Sequence, residues 1–395
     1  MNRAIIFISA NRFRKGLSSL VCIVILLSYL SVPALEAQTR KKKKAVEHIL
    51  TPEMRKQIEE IFQGWKNRSK QIKTFKGIVD VKSTILRGSC IDELTGAPLN
   101  PPKPANDLDF NSKLIFSIDF ENDRMRCDTT MRYYQPDVNE VHQWKHINTF
   151  DGVDGYIQDQ GHTNLDGKLL FGIEKFKNAT NYVVIFKDQK KSKSEIFEDL
   201  ISNGFSPILM MVGILPECRK FGTFDPNYTL EEFRIIGNTK WKNNNVVILR
   251  HYFSSNKIVD SNYEDYWLDQ DHEYRMVRNQ VYAMTYLLYD TQMNDYVIYG
   301  KTSTLRSWRF NHYSNSKIER TNFFTIIDPQ VNGKIPINEF RIPIRPKMIV
   351  GVITPESYEQ MLQNPESGTT YYKVNENGKW DESDEKGKLI KRTKK

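Results

Sequence analysis

His142 and His146 stand four residues apart with Trp144 between them. That spacing would put two metal ligands on one face of a helix. The flanking residues alternate as a strand does, and there too both imidazoles point to one side. A metal site needs at least a third ligand, and none is evident. Asp269, Asp271, His272 and Glu273 crowd one turn. They lack the ordered ligand spacing of a calcium loop, so a solvated hairpin tip is expected. Asp151-Gly152-Val153-Asp154-Gly155 reads as a tight turn. The chain contains no Gly-x-Ser-x-Gly, phosphate-cradling loop or His-Glu-x-x-His. Its Ser, His and Asp residues have no triad spacing. The expectation is a non-enzyme, with no catalytic residue, no metal and no cofactor.

Cys90, Cys127 and Cys218 complete the reactive inventory beyond the leader. None has metal-ligand spacing. Cys127 lies in the alternating run Met125-Cys127-Thr129-Met131, opposite Arg124, Arg126 and Asp128, and is expected to be a small buried hydrophobe. In an oxidising compartment a Cys90–Cys127 bridge is the alternative.

The elements that would hold such residues are mostly strands. Residues 51 to 72 form the exception. Thr51 can cap a helix, Pro52 suits its first position and Glu53 complements its positive end. Met54, Ile58, Ile61, Phe62, Trp65 and Ile72 share one face. The period then changes to two. Phe75, Gly77, Val79, Val81 and Ile85 make one strand face, and Leu114, Phe116, Ile118 and Phe120 another. Alternation with short turns continues to about residue 327, which implies one antiparallel sheet with a buried face. Residues 88 to 110 interrupt it with a proline-rich loop too long for a hairpin. Phe205 to Leu215 is an eleven-residue apolar run, the greasiest part beyond the leader. It is too short to span a bilayer and too apolar to face water.

Residues 1–37 have the layout of a secretory signal. Arg3, Arg12, Arg14 and Lys15 form a basic start, Leu20 to Val32 an apolar centre, and Ala34 and Ala37 are cleavage points. The chain is expected to be periplasmic or secreted, with cleavage near Ala37. The formal charge of +9 collects in the leader and in two tails, residues 40–44 and 386–395. Those tails are expected to be disordered, touching anionic membrane peripherally at most, and nucleic acid is not expected as a partner. The organisation expected is a signal peptide at 1–37, a basic linker at 38–50, one domain at 51–345, and a C-terminal extension at 346–395 ending in a disordered basic tail.

One block carries a family resemblance. Tyr266-Trp267-Leu268-Asp269, an acidic turn, and Tyr274-Arg275-Met276-Val277-Arg278 resemble the hairpin of LolA-like periplasmic proteins. Ile326-Ile327-Asp328-Pro329, with Ile335-Pro336-Ile337-Asn338-Glu339-Phe340, is similar to the close of long members. The resemblance implies an α+β fold, mainly an antiparallel β-sheet curled into an open half-barrel with helices covering the concave face. It implies a non-catalytic lipid- or acyl-chain-binding protein whose partner is a lipid or an acylated protein. The candidate lining and lid residues are Phe62, Trp65, Phe116, Ile118, Phe205, Leu209, Met210, Met211 and Ile214. The alternative is a structural or protein-interaction component of the cell envelope whose apolar interior is merely core.

Overall fold

Thr51 begins the regular structure as its sequence implies: its hydroxyl accepts from the Met54 N–H at 3.2 Å, with proline following. In the computed structural model the described residues are 50–90, 99–164, 169–171, 182–188, 206–216, 218–220, 222–252, 262–283, 286–299, 302–314, 316–363 and 368–390. The leader, all of the linker except Leu50, and Phe205 therefore lie outside the described residues. Helix α1 (Pro52–Gln71) buries Ile58, Ile61, Trp65 and Arg68.

Two meanders meet at the first strand. One runs outward through β1 (Thr74–Ile85), β2 (Leu108–Asp119), β3 (Arg124–Gln135), β4 (Glu140–Phe150) and β5 (Gly155–Asn164). The short β6 (Leu169–Phe171) and β7 (Tyr182–Phe186) both pair with β5. The chain then passes through α2 (Ser206–Met210) to the far edge. The second meander returns through β8 (Phe233–Trp241), β9 (Asn244–Tyr252), β10 (Asn262–Asp269), β11 (Arg275–Ala283), β12 (Tyr286–Tyr299), β13 (Thr302–Ser314) and β14 (Lys317–Val331). Strand β14 closes onto β1, with Val81 opposite Phe324. All these pairings are antiparallel, as the alternation implies. The result is an open sheet of 17 strands. Register shifts at Lys76/Ile78, Trp267/Leu268 and Val281/Tyr282 are bulges, which strengthen the local twist such a wide sheet needs.

The sheet does not stop near 327. After β14 the chain forms β15 (Ile349–Ile353), α3 (Pro355–Gln363), β16 (Thr370–Val374) and β17 (Trp380–Ser383). Strand β15 pairs in parallel with β7, Val350 opposite Val183. The sheet is thus mainly antiparallel with one parallel pair: the chain reaches β7 by a long return, which is how parallel neighbours are joined. Order also extends past 380. Asp384 accepts from the N–H groups of Lys386 and Lys388 at 2.9 and 2.8 Å, fixing a turn beyond β17.

Two cores result. The larger joins Ile58, Ile61 and Trp65 of α1 to Phe75, Phe116, Leu249, Leu268, Trp308 and the residues around 208–215. The smaller gathers Val183, Ile185, Ile342, Met348, Val350 and Val374, so the C-terminal strands contribute their own apolar packing.

Candidate functional site

The apolar run folds as a short helix with a built-in stop. Gly213 has φ +76°, and its N–H donates to the Met210 carbonyl while the Ile214 N–H donates to that of Leu209, both at 3.0 Å. These are the paired bonds of a Schellman cap, in which glycine takes the left-handed position. A Cβ at Gly213 would sit 2.3 Å from Trp65 Cβ, so the same glycine lets the segment lie against α1. Leu209, Met210, Met211 and Ile214 are at most 6 % exposed.

Aromatic rings seal one side of this segment. Phe62 stacks on Tyr228 at 4.4 Å and meets Phe233 edge-on at 5.1 Å. The Tyr228 hydroxyl donates to the Gly213 carbonyl, and burial pushes its phenol up. Trp65 Nε1 donates to the Tyr274 carbonyl at 2.9 Å. Phe116 packs on Phe75 at 5.0 Å in the same core, and Ile118 is fully buried there. Eight of the nine candidate residues thus share one core, with Phe62 at its margin; the ninth, Phe205, is outside the described residues.

Sequence reasoning missed Arg68. Its guanidinium is buried, at 4 % exposure. Nε and Nη2 both donate to the Met211 carbonyl, at 3.0 and 2.7 Å. Nη1 and Nη2 reach Ser303 Oγ and its carbonyl at 3.4 and 3.3 Å. Burial pulls its pKa down, with Tyr296, Glu273 and Asp269 opposing that shift. The signal lay in the spacing: 58, 61, 65, 68 and 72 make a continuous helical stripe, and Arg68 is the one charge on it.

Of the acidic turn, Asp271, His272 and Glu273 are exposed as expected of a hairpin tip, and Asp269 departs from that expectation. It is fully buried rather than at a solvated tip. Its carboxylate accepts from the Asp271 N–H, His272 Nδ1 and Arg275 Nε at 3.1, 2.8 and 3.1 Å. Arg275 in turn stacks over Tyr296, with Cζ 4.7 Å from the ring centre. The turn folds back on its own first acid because that acid caps it.

His142 and His146 are both buried, on one side of β4 as strand alternation requires. Among the described residues no three His, Cys, Asp or Glu side chains gather as metal ligands. Cys90, Cys127 and Cys218 form no disulfide, so the bridge alternative does not form. Burial pushes Cys127 up to about 12, leaving an inert thiol beside Thr129 Oγ1 at 3.2 Å. A depression of about 150 Å³ lies among Lys113, Ile115, Asp128 and Lys145. It is well below the roughly 300–1,000 Å³ of ligand pockets.

No protein-family model matches this chain, and no curated protein matches it. Solved structures do. A DUF1329 family protein from Desulfovibrio piger is 11 % identical, at a TM-score of 0.37, covering 71 % of this chain and 97 % of its own. A LolA superfamily protein from Nitrosomonas europaea is 9 % identical, at 0.36, with coverage of 71 % and 97 %. The lipoprotein LppX of Mycobacterium tuberculosis is 10 % identical, at 0.23, with coverage of 70 % and 96 %. One of these neighbours carries the name of the family that the Tyr266–Arg278 hairpin resembles. Likenesses at this level assign no role to any residue.

Proposed function

We propose that this chain is an exported, non-catalytic protein that holds an acyl chain on the apolar face of an open half-barrel. In this reading α1 and residues 206–215 cover the concave side, and the candidate residues line the space they close. The observation that carries it is the Arg68 latch. A core meant only to be filled needs no buried guanidinium, whose desolvation is costly. Here that charge bonds to the Met211 and Ser303 carbonyls, tying the apolar segment to α1 and β13. A segment fastened through a few polar bonds can be released as a unit. Met210, Met211, Met276 and Met293 add flexible thioethers that repack readily around a guest. Among the described residues no helix is long and apolar enough to cross a membrane.

The structural alternative also has an observation in its favour. Leu209, Met211 and Leu215 are fully buried, as in a filled core. One experiment separates the readings: titration of the purified mature chain with a fluorescent fatty acid, for wild type and Arg68→Met. The carrier reading expects saturable binding by wild type and altered affinity in the variant. Absence of saturable wild-type binding would favour the structural component.

A further inference from the structure

The inner face of the sheet is graded. Trp308, Phe324 and Val81 lie opposite one another across β13, β14 and β1, and all three are apolar. Two residues along each strand, the next row reads Phe310, Asn322 and Ser83. The row after that brings His312 opposite Arg320. Asn322 and Ser83 are 6 % and 2 % exposed, so this polar edge is not a solvated rim. Ser83 Oγ has no hydrogen-bond partner. Arg320 gives Nε to Asn322 Oδ1 at 3.0 Å, and among the described residues no carboxylate forms an ion pair with it. The nearby Glu319 faces His312 instead, at 3.1 Å. Burial lowers the Arg320 pKa.

A half-buried guanidinium without a carboxylate and a buried hydroxyl without a partner both cost free energy. Both costs fall if an anion arrives, because guanidinium binds carboxylate and phosphate through parallel N–H donors. We infer that Arg320, Asn322 and Ser83 form the head-group subsite for an anionic amphiphile whose chain runs over Val81, Phe324 and Trp308. This rests on the acyl-chain reading and adds a polar end to it. A carboxylate and a phosphate monoester share the required chemistry.

The test measures binding of pyrene-labelled dodecanoic acid and its methyl ester to the mature full chain. Wild type should prefer the acid by about tenfold or more, the scale of a charge-assisted hydrogen bond. Arg320→Met should bring that ratio close to one while keeping the ester affinity, and Ser83→Ala should lower it in the same direction. Competition by lysophosphatidic acid against unlabelled dodecanoic acid tells which head is preferred. If wild type binds acid and ester equally, the acyl reading stands and this subsite falls. If neither ligand binds, both fall. Should Arg320→Met fail to fold, an unchanged acid-to-ester ratio in Ser83→Ala overturns the subsite.

Discussion

Gly213 and Asp151 each hold a place set by their immediate neighbours. At Gly213 a methyl group meets both a positive φ and the Trp65 backbone. Gly213→Ala should destabilise the chain by more than about 1 kcal/mol, since left-handed strain alone costs that much. Urea denaturation followed by tryptophan fluorescence measures it. Leu209→Ala tests the neighbouring packing. A filled core predicts a loss of about 2–5 kcal/mol, and a ligand-lined one a smaller loss with altered fatty-acid binding. At Asp151, burial opposes ionisation. The N–H groups of Asp154 and Val153 and Arg341 Nε, at 2.6 Å, outweigh it, so the carboxyl titrates below its ordinary 3.8. A lowered folded pKa gives stability that is present above the unfolded value and lost as pH falls through the folded one. Asp151→Asn should therefore lower the urea midpoint near about pH 7 and differ less from wild type near about pH 3. An equal gap at both pH values would refute this.

Elements divide into those visible in local pattern and those that are not. The α1 boundaries follow from Thr51 and Pro52, and β1 to β4 and β8 to β14 from alternation. The hairpin at Asp269 was legible as a turn, but its burial was not, because the ring and guanidinium that cover it come from Tyr296 and Arg275. Arg68 was missed because a charge on an apolar stripe looks like an interruption until its acceptors, 143 and 235 residues away, are known. The C-terminal strands left little trace. Thr370–Val374 and Trp380–Ser383 are short, polar on most positions, and ordered by pairing in series onto β15. Truncation after Arg345 should uncover Val183 and Ile185 along the exposed edge of β7. The expected result is a less stable chain with more edge-to-edge association, seen as faster elution in size-exclusion chromatography. An unchanged monomer with wild-type stability would show that β15 to β17 are dispensable.

Across the whole molecule, the two faces of the sheet carry charge differently. The outer face carries Arg250 and Arg278 in two-point pairs with Asp265 and Asp290, and Arg278 lies within 5.0 Å of the Trp267 ring centre. The inner face carries the apolar core and, towards one edge, Arg320, and Arg68 enters that core from α1. The pairing of β1 with β14 has a consequence for how the chain is made. Strand β1 is among the first segments to be synthesised and its neighbour β14 comes more than 200 residues later, with Phe75 opposite Val331. The mid-sheet seam therefore stays unzipped until β14 has emerged, and such long-range pairing is slow to form. A nascent chain ending before Lys317 should remain protease-sensitive throughout 74–85, and one extended past Val331 should become resistant there. Under the proposed export, a seam that waits for β14 gives the chain time to cross a membrane before it folds.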